Sequence, residues 1–167
     1  MLEILDVLEE IERLINPVWS ELEKAIFVYQ RLCVNLYYNE YADRVKSRNL
    51  MVLVNGEGVY AGFALVYKEM MDRLGINCYY QNKQHHHAFN VLEINVRYYG
   101  LDLTWDIGEK MYNKCSFEYF ASDNNQEFYG NVHRNLKREK EETMFPLSVL
   151  SSEQIRTALK NIDMYPN

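Results

Sequence analysis

The chain has 167 residues, of which 48 % are hydrophobic, and this composition is typical of one folded domain with a sizeable core, not of a disordered segment. Its 18 basic and 24 acidic residues give a formal net charge of −6, so we expect neither nucleic acid nor an anionic membrane as a partner. Fourteen tyrosines, seven phenylalanines and two tryptophans predict an aromatic core or cleft.

The three cysteines, Cys33, Cys78 and Cys115, are an odd number and show no CxxC spacing. They predict buried, reduced thiols and argue against a disulfide framework. The acidic start of the chain lacks the basic region and cleavage site of a signal peptide. No apolar run approaches the ~20 residues that a membrane helix needs. We therefore expect a cytoplasmic protein.

Helical patterns dominate the first part of the chain. Apolar residues at helical spacing predict an amphipathic helix over residues 2–15, which ends near Asn16. A second helix is expected to begin after Ser20, because Glu23 completes a capping-box pattern. The polar residues 40–50 predict a short helix or turn. The inner stripe of the second helix is expected to contain Leu22, Ile26, Tyr29, Leu32 or Cys33, and Leu36.

A third helix is predicted over Val59–Leu74, where one face is apolar and the opposite face is charged. It follows a turn with Gly56 and Gly58, which we expect to let the backbone turn tightly and approach a substrate closely. The helix is expected to end at Gly75, the usual residue for a left-handed cap. A short connection near Asn95 favours antiparallel pairing of the flanking strands. Strands are predicted over residues 76–81, 87–96 and 97–104.

The last part of the chain carries fewer signals. Residues 134–142 are basic and then acidic, which predicts a solvated helix or loop. Ser151 and Gln154 form a capping signature that predicts a last helix over residues 151–161. The chain shows no internal repeat and no low-complexity linker, so residues 1–167 are expected to form a single domain.

Three segments in chain order resemble the motifs of the transglutaminase-like superfamily of papain-type thiol enzymes. Members typically carry G-x-G-V-C-x-G-[YF]-A at a helix start, H-A-[WF]-N on one strand and D-x-T-W-D on the next. This chain has GEGVYAGFA at 56–64, HAFN at 87–90 and DLTWD at 102–106. The resemblance covers about residues 17–133, with the helices at 2–15 and 151–161 as additions.

The resemblance implies an α+β fold with a papain-like core. In such a core, helices pack on a small antiparallel sheet, and the helix over Val59–Leu74 is buried between them. The resemblance also implies a site. It places Tyr60 at the position of the nucleophilic cysteine, His87 at the position of the base, and Asp102 at the position of the carboxylate that orients the base.

Tyr60 is the departure from the family pattern. A cysteine at a helix start is activated because the helix dipole and the unpaired amide groups stabilise its thiolate. A phenol has a pKa near ~10 and stays protonated at neutral pH. Tyrosine is also longer than cysteine and extends into the space that a substrate carbonyl needs. The substitution therefore predicts the loss of thiol chemistry.

Two main functions remain open. The leading hypothesis is a pseudoenzyme that binds a protein or peptide in the former cleft. The alternative is a transglutaminase-like hydrolase or acyl transferase that uses His87 and Asp102 with Tyr60 or another nucleophile. We expect no cofactor, and the sequence leaves the oligomeric state open.

A third hypothesis, a metal or ligand site, comes from the run His85, His86 and His87, since imidazole binds transition metals. Consecutive strand residues point to opposite faces, so three in a row cannot converge from a regular strand. We therefore interpret His85 and His86 as residues of a loop tip and expect no metal.

Three residues of the motifs have structural interpretations. Trp105 is predicted to belong to the core. Asp106 is predicted to be a turn or helix-cap carboxylate, and Asn90 to bond a neighbouring backbone group.

Overall fold

The computed structural model describes residues 3–83, 87–122 and 147–167, in which helices and short strands are mixed. The helices are α1 (Ile4–Arg13), α2 (Glu21–Asn35), α3 (Val52–Asn55), α4 (Tyr60–Arg73), α5 (Leu103–Glu109) and α6 (Ser152–Met164), with a 3₁₀ helix at Lys46–Arg48. The strands are β1 (Tyr37–Tyr38), β2 (Glu57–Gly58), β3 (Cys78–Lys83), β4 (His87–Ile94), β5 (Arg97–Leu101) and β6 (Leu147–Ser148). The fold class is therefore α+β, as predicted.

Two helices begin at the capping boxes that the sequence predicts. At α2, the Ser20 hydroxyl accepts a hydrogen bond from the Glu23 amide at 3.1 Å, and the Glu23 carboxylate accepts one from the Ser20 amide at 2.8 Å. At α6, Ser151 and Gln154 exchange the same pair of bonds. α6 continues to Met164, three residues beyond the predicted end.

The buried centre of the fold is α4, as the apolar face of this segment predicts. It packs against β3 and β4 on one side and contacts α2 on another. The Tyr67 hydroxyl donates a hydrogen bond to the Ala25 carbonyl of α2 at 2.9 Å, which ties the two helices together. Gly75 follows the end of α4 with a φ of 73°. The fully buried side chains of α4 are Phe63, Val66, Tyr67, Met70 and Met71.

The sheet has the order β3-β4-β5-β6. β3, β4 and β5 are antiparallel neighbours, with Tyr80 opposite Asn90 and Asn90 opposite Leu101. Asn95 and Val96 both have positive φ, as a two-residue hairpin turn requires, so the predicted antiparallel connection is confirmed. β6 pairs with β5 in parallel, so the sheet is mixed, whereas we predicted an antiparallel one.

The predicted strand over residues 97–104 is too long. β5 ends at Leu101, and α5 begins at Leu103. The reason is a helix cap, because the Asp102 carboxylate accepts a hydrogen bond from the Trp105 amide at 3.3 Å. The carboxylate therefore sits at the junction between strand and helix and not within a strand.

Some predictions fall outside the described residues. They concern the loop-tip residues His85 and His86 and the charged segment 134–142. Within the described ranges, the helices are too short or too polar to cross a membrane.

Candidate functional site

Tight packing fixes the backbone at the start of α4. Gly56 ends α3 in a left-handed conformation with a φ of 75°, which confirms the predicted turn. A Cβ atom on Gly58 would lie 2.9 Å from the Ser47 carbonyl oxygen, and one on Gly62 would lie 2.5 Å from the same atom. Gly58 is therefore required by packing inside the protein, and its role in the close approach of a substrate stays a prediction.

Tyr60 is the first residue of α4 and follows the extended N-cap Val59. Its half-buried ring lies beside the ring of His87, with 5.6 Å between the ring centroids and an interplanar angle of 51°. The helix start and the beginning of β4 thus bring together two residues that are 27 positions apart in the sequence.

A second tyrosine, Tyr80, belongs to the same cluster. Burial raises the pKa of Tyr80, and the nearby Tyr60 phenol raises it further. The Asn82 amide donates a hydrogen bond to the Tyr80 hydroxyl at 3.2 Å. We did not predict Tyr80 as a site residue. Its place opposite Asn90 becomes visible only once the register of β3 and β4 is known.

His87 and Asp102 are in direct contact. The Nε2 atom of His87 lies 2.6 Å from Oδ2 of Asp102, so the predicted contact between the two residues is present. A carboxylate oxygen and a ring nitrogen at this distance form a hydrogen bond, so the contact fixes the orientation of the His87 ring. The Asp102 side chain is 1 % exposed, whereas that of His87 is 18 % exposed. The pair therefore joins a buried carboxylate to a ring that reaches the surface.

Asp106 bonds a turn, as predicted, and also reaches a distant helix. It lies within α5, is fully buried, and accepts hydrogen bonds from groups on two other segments. The donors are the Tyr29 hydroxyl, the Ser116 hydroxyl at 3.2 Å, the Glu118 amide at 3.0 Å and the Tyr119 amide at 3.1 Å. This carboxylate therefore bonds the turn over residues 117–120, as one of the two predicted interpretations has it, and holds that turn against α2.

Burial governs the protonation of Asp106. Desolvation raises the pKa of its carboxyl from 3.8 to about 6, and the four hydrogen bonds offset part of this effect. Tyr29 connects the Asp106 carboxylate to the backbone of Asp102, because its hydroxyl also donates to the Asp102 carbonyl oxygen at 3.1 Å. Sequence spacing gave no sign of this role, since Tyr29 is 77 residues from Asp106.

Two motif residues remain. The prediction for Asn90 is confirmed, and the prediction for Trp105 is wrong. Asn90 donates a hydrogen bond to the Ala64 carbonyl of α4 at 3.0 Å, as the backbone interpretation predicts. Trp105 is 41 % exposed and packs beside Tyr119, with 5.7 Å between the ring centroids. It lies on the outer face of α5, because the inner face of that helix is occupied by Leu103, Asp106 and Ile107.

The three cysteines are free thiols. Cys33 and Cys78 are buried, as predicted, whereas Cys115 is partly exposed. Burial raises the pKa of Cys78 to about 12, so this thiol is a poor nucleophile.

A metal site at the histidine run is the third hypothesis from the sequence. His87 is engaged with Asp102, and the other two histidines of the run lie outside the described residues. In the described part of the chain, no group of three or more histidine, cysteine, aspartate or glutamate side chains is arranged to hold a metal ion.

No protein-family model and no curated protein matches the chain. Among solved structures, the chain is similar to the crystal structure of a TGase, with a TM-score of 0.49 and 19 % sequence identity. The similarity covers 68 % of this chain, which spans 32 % of the length of the TGase chain. A similarity at this level assigns neither a family nor a reaction.

Proposed function

We propose that this chain is a catalytically inactive transglutaminase-like protein that binds a protein or peptide at the aromatic cluster around Tyr60. The observation that carries the proposal is the position of Tyr60, at the first residue of α4 and 5.6 Å from the ring of His87. The motif resemblance assigns this position to a nucleophilic cysteine. The residues that would serve such a cysteine, His87 and Asp102, are in hydrogen-bond contact.

The chemistry of a phenol supports inactivity. A histidine with a protonated Nε2 can take a proton at Nδ1, which is the role of the base in thiol catalysis. A thiol near pKa ~8.5 gives up its proton to such a base much more readily than a phenol near ~10 does. We expect the Tyr60 hydroxyl to donate a hydrogen bond to His87, which would give a neutral and stable pair.

The composition of the cluster supports binding. The Tyr60 ring packs beside that of His87, and Tyr80 is near enough for the Tyr60 phenol to raise its pKa. Tyrosine combines a large apolar face with a polar tip. Such side chains are enriched where proteins bind other proteins, because they contribute contact area with little loss of conformational entropy. The chain carries a net charge of −6, which favours a partner that is not acidic.

The first test restores the thiol. In the Tyr60→Cys variant, we expect a thiol pKa at least about 1 unit below the ordinary ~8.5, because the start of α4 and His87 both stabilise a thiolate. The measurement is the pH dependence of alkylation by iodoacetamide. Tyr80→Cys is the matched control, since it places a thiol in the same cluster on a strand. Equal pKa values in the two variants would contradict the proposal.

The second test addresses binding and inactivity in the unmodified sequence. Panning a library of random displayed peptides on the immobilised chain should enrich a consensus that Tyr60→Ala no longer binds. Tyr165→Ala, which changes an exposed tyrosine after α6, should bind as the unmodified chain does. Turnover of a glutamine peptide with a primary amine, abolished by Tyr60→Phe, would instead show an enzyme that uses Tyr60.

A further inference from the structure

The segment that follows α5 is fastened to the C-terminal end of α2. The Lys110 ammonium donates hydrogen bonds to the Cys33 carbonyl at 2.9 Å and to the Leu36 carbonyl. It also lies 4.0 Å from the ring centroid of Tyr37. A cation at this place satisfies carbonyl groups that a helix end leaves without intrahelical partners. The contacts bring the segment that carries Cys115 next to the last turns of α2.

Two thiols meet at this junction. Cys33 is fully buried in α2, and Cys115 packs against the same core cluster while remaining partly exposed. Cys33 is the main cause of the raised pKa of the Cys115 thiol, which makes the two side chains neighbours. The third thiol, Cys78, lies on β3 and belongs to a different part of the sequence and of the fold.

The backbone before Cys115 is an exposed turn. Met111 and Lys114 form a β-bridge around Tyr112 and Asn113, which both have positive φ. Tyr112 is 89 % exposed, so the turn is held by few buried contacts. Turns of this kind open locally at small free-energy cost, which allows Cys115 to approach Cys33.

We propose that Cys33 and Cys115 are a reversible redox pair that closes into a disulfide between α2 and the segment after α5. The oxidant is hydrogen peroxide. The Cys115 sulfur attacks one peroxide oxygen, the O–O bond breaks, and a sulfenic acid and water form. The Cys33 sulfur then attacks the sulfenic sulfur and releases a second water. Two thiols together give two electrons and two protons for each peroxide consumed.

The Cys33–Cys115 disulfide would act on the residues that support the candidate site. The residues after Cys115 supply the Ser116, Glu118 and Tyr119 donors that hold Asp106. Tyr29, on the same helix as Cys33, bonds both Asp106 and the backbone of Asp102. A covalent link between these two segments would therefore fix the arrangement beneath Asp102.

The rate follows from the protonation of the thiols. The neighbouring Cys33 thiol and burial raise the pKa of Cys115, and a protonated thiol reacts slowly with peroxide. We expect closure over minutes to hours at neutral pH and faster closure at higher pH. This behaviour is that of a stabilising disulfide and not that of a rapid peroxide sensor.

The test uses the full chain with hydrogen peroxide as the oxidant. Peptide mapping by mass spectrometry without reductant should show a cross-linked peptide that contains Cys33 and Cys115, with the loss of two hydrogen atoms. Closing a long loop should raise the thermal midpoint by at least about 5 °C, and dithiothreitol should reverse the rise.

Two variants complete the design. Cys78→Ser should still form the cross-link, and Cys115→Ser should lose both the cross-link and the rise in thermal midpoint. The proposal is overturned if the folded chain keeps three free thiols after prolonged oxidation at about pH 8.5. A cross-link that includes Cys78 would overturn it as well. Because mapping of the unmodified chain decides the result, a variant that fails to fold does not prevent a conclusion.

Discussion

Asp102 and Asp106 are two buried carboxylates at the same short helix, and their surroundings differ. Asp106 accepts hydrogen bonds from Tyr29, Ser116 and two backbone amides, all of which belong to the interior or to the segment it holds. Asp102 caps α5 and lies 2.6 Å from His87, a ring that reaches the surface. Both side chains are almost fully buried. The two carboxylates therefore differ in the groups that contact them and not in their exposure.

This difference indicates which carboxylate has a structural role and which belongs to a surface site. A carboxylate bonded entirely to interior groups stabilises the arrangement of its donors. A carboxylate that orients an accessible imidazole controls the direction in which that ring presents its second nitrogen. Tyr29 touches both residues, so the site and its support form one network.

The largest expected effect is the loss of stability in Asp106→Ala. The change leaves two partly buried amides without their acceptor and takes the carboxylate partner from the buried Tyr29 hydroxyl, and each such loss costs ~1–3 kcal/mol. We expect the free energy of unfolding to fall by about 4 kcal/mol, measured by urea denaturation. Asp106→Asn keeps the volume and one acceptor oxygen, so it should lose less. A loss below ~1 kcal/mol in Asp106→Ala would show that the donors find other partners.

The contribution of Asp106 to stability is expected to depend on pH. Asp106 has a folded pKa of about 6, raised from 3.8, so the folded state prefers the protonated form. Its stabilising contribution is fully present below the unfolded value of 3.8 and is lost as pH rises through about 6.

The stability of the unmodified chain relative to Asp106→Asn should therefore fall by ~2 kcal/mol between pH ~4 and ~7. Paired urea titrations at several pH values measure this difference and cancel the contributions of the other carboxylates. A difference that rises with pH would mean that the hydrogen bonds outweigh desolvation at Asp106.

Local signals in the sequence predicted much of the fold. The capping boxes at Ser20 and Ser151 fix two helix starts, because a side chain and an amide three residues apart satisfy each other. Gly75 marks the end of α4, and the turn at Asn95 marks the end of β4. Both are signals from residues at the end itself. These features depend on residues that are near one another in the chain.

The parts that sequence analysis missed depend on distant contacts. β6 has only two residues, too few for a periodic pattern, and is defined by its pairing with β5. The role of Asp106 depends on Tyr29, and the exposure of Trp105 depends on which face of α5 meets the core. The contact of His87 with Asp102 was predicted only because ordered motifs supplied the tertiary information that spacing lacks.

The smallest expected effect on stability is that of Asp102→Ala. The variant loses the side-chain cap of α5, which is worth ~1 kcal/mol, and the His87 ring can turn toward solvent because it already reaches the surface. A proton on Nε2 should then exchange rapidly with water, and the ring N–H resonance that we expect in the unmodified chain should vanish. Asp102→Asn keeps the capping oxygen and should preserve stability more fully. Urea denaturation and proton NMR in water measure the two effects separately. If Asp102→Ala costs as much stability as Asp106→Ala, then both carboxylates are structural, and the distinction between a supporting carboxylate and a site carboxylate fails.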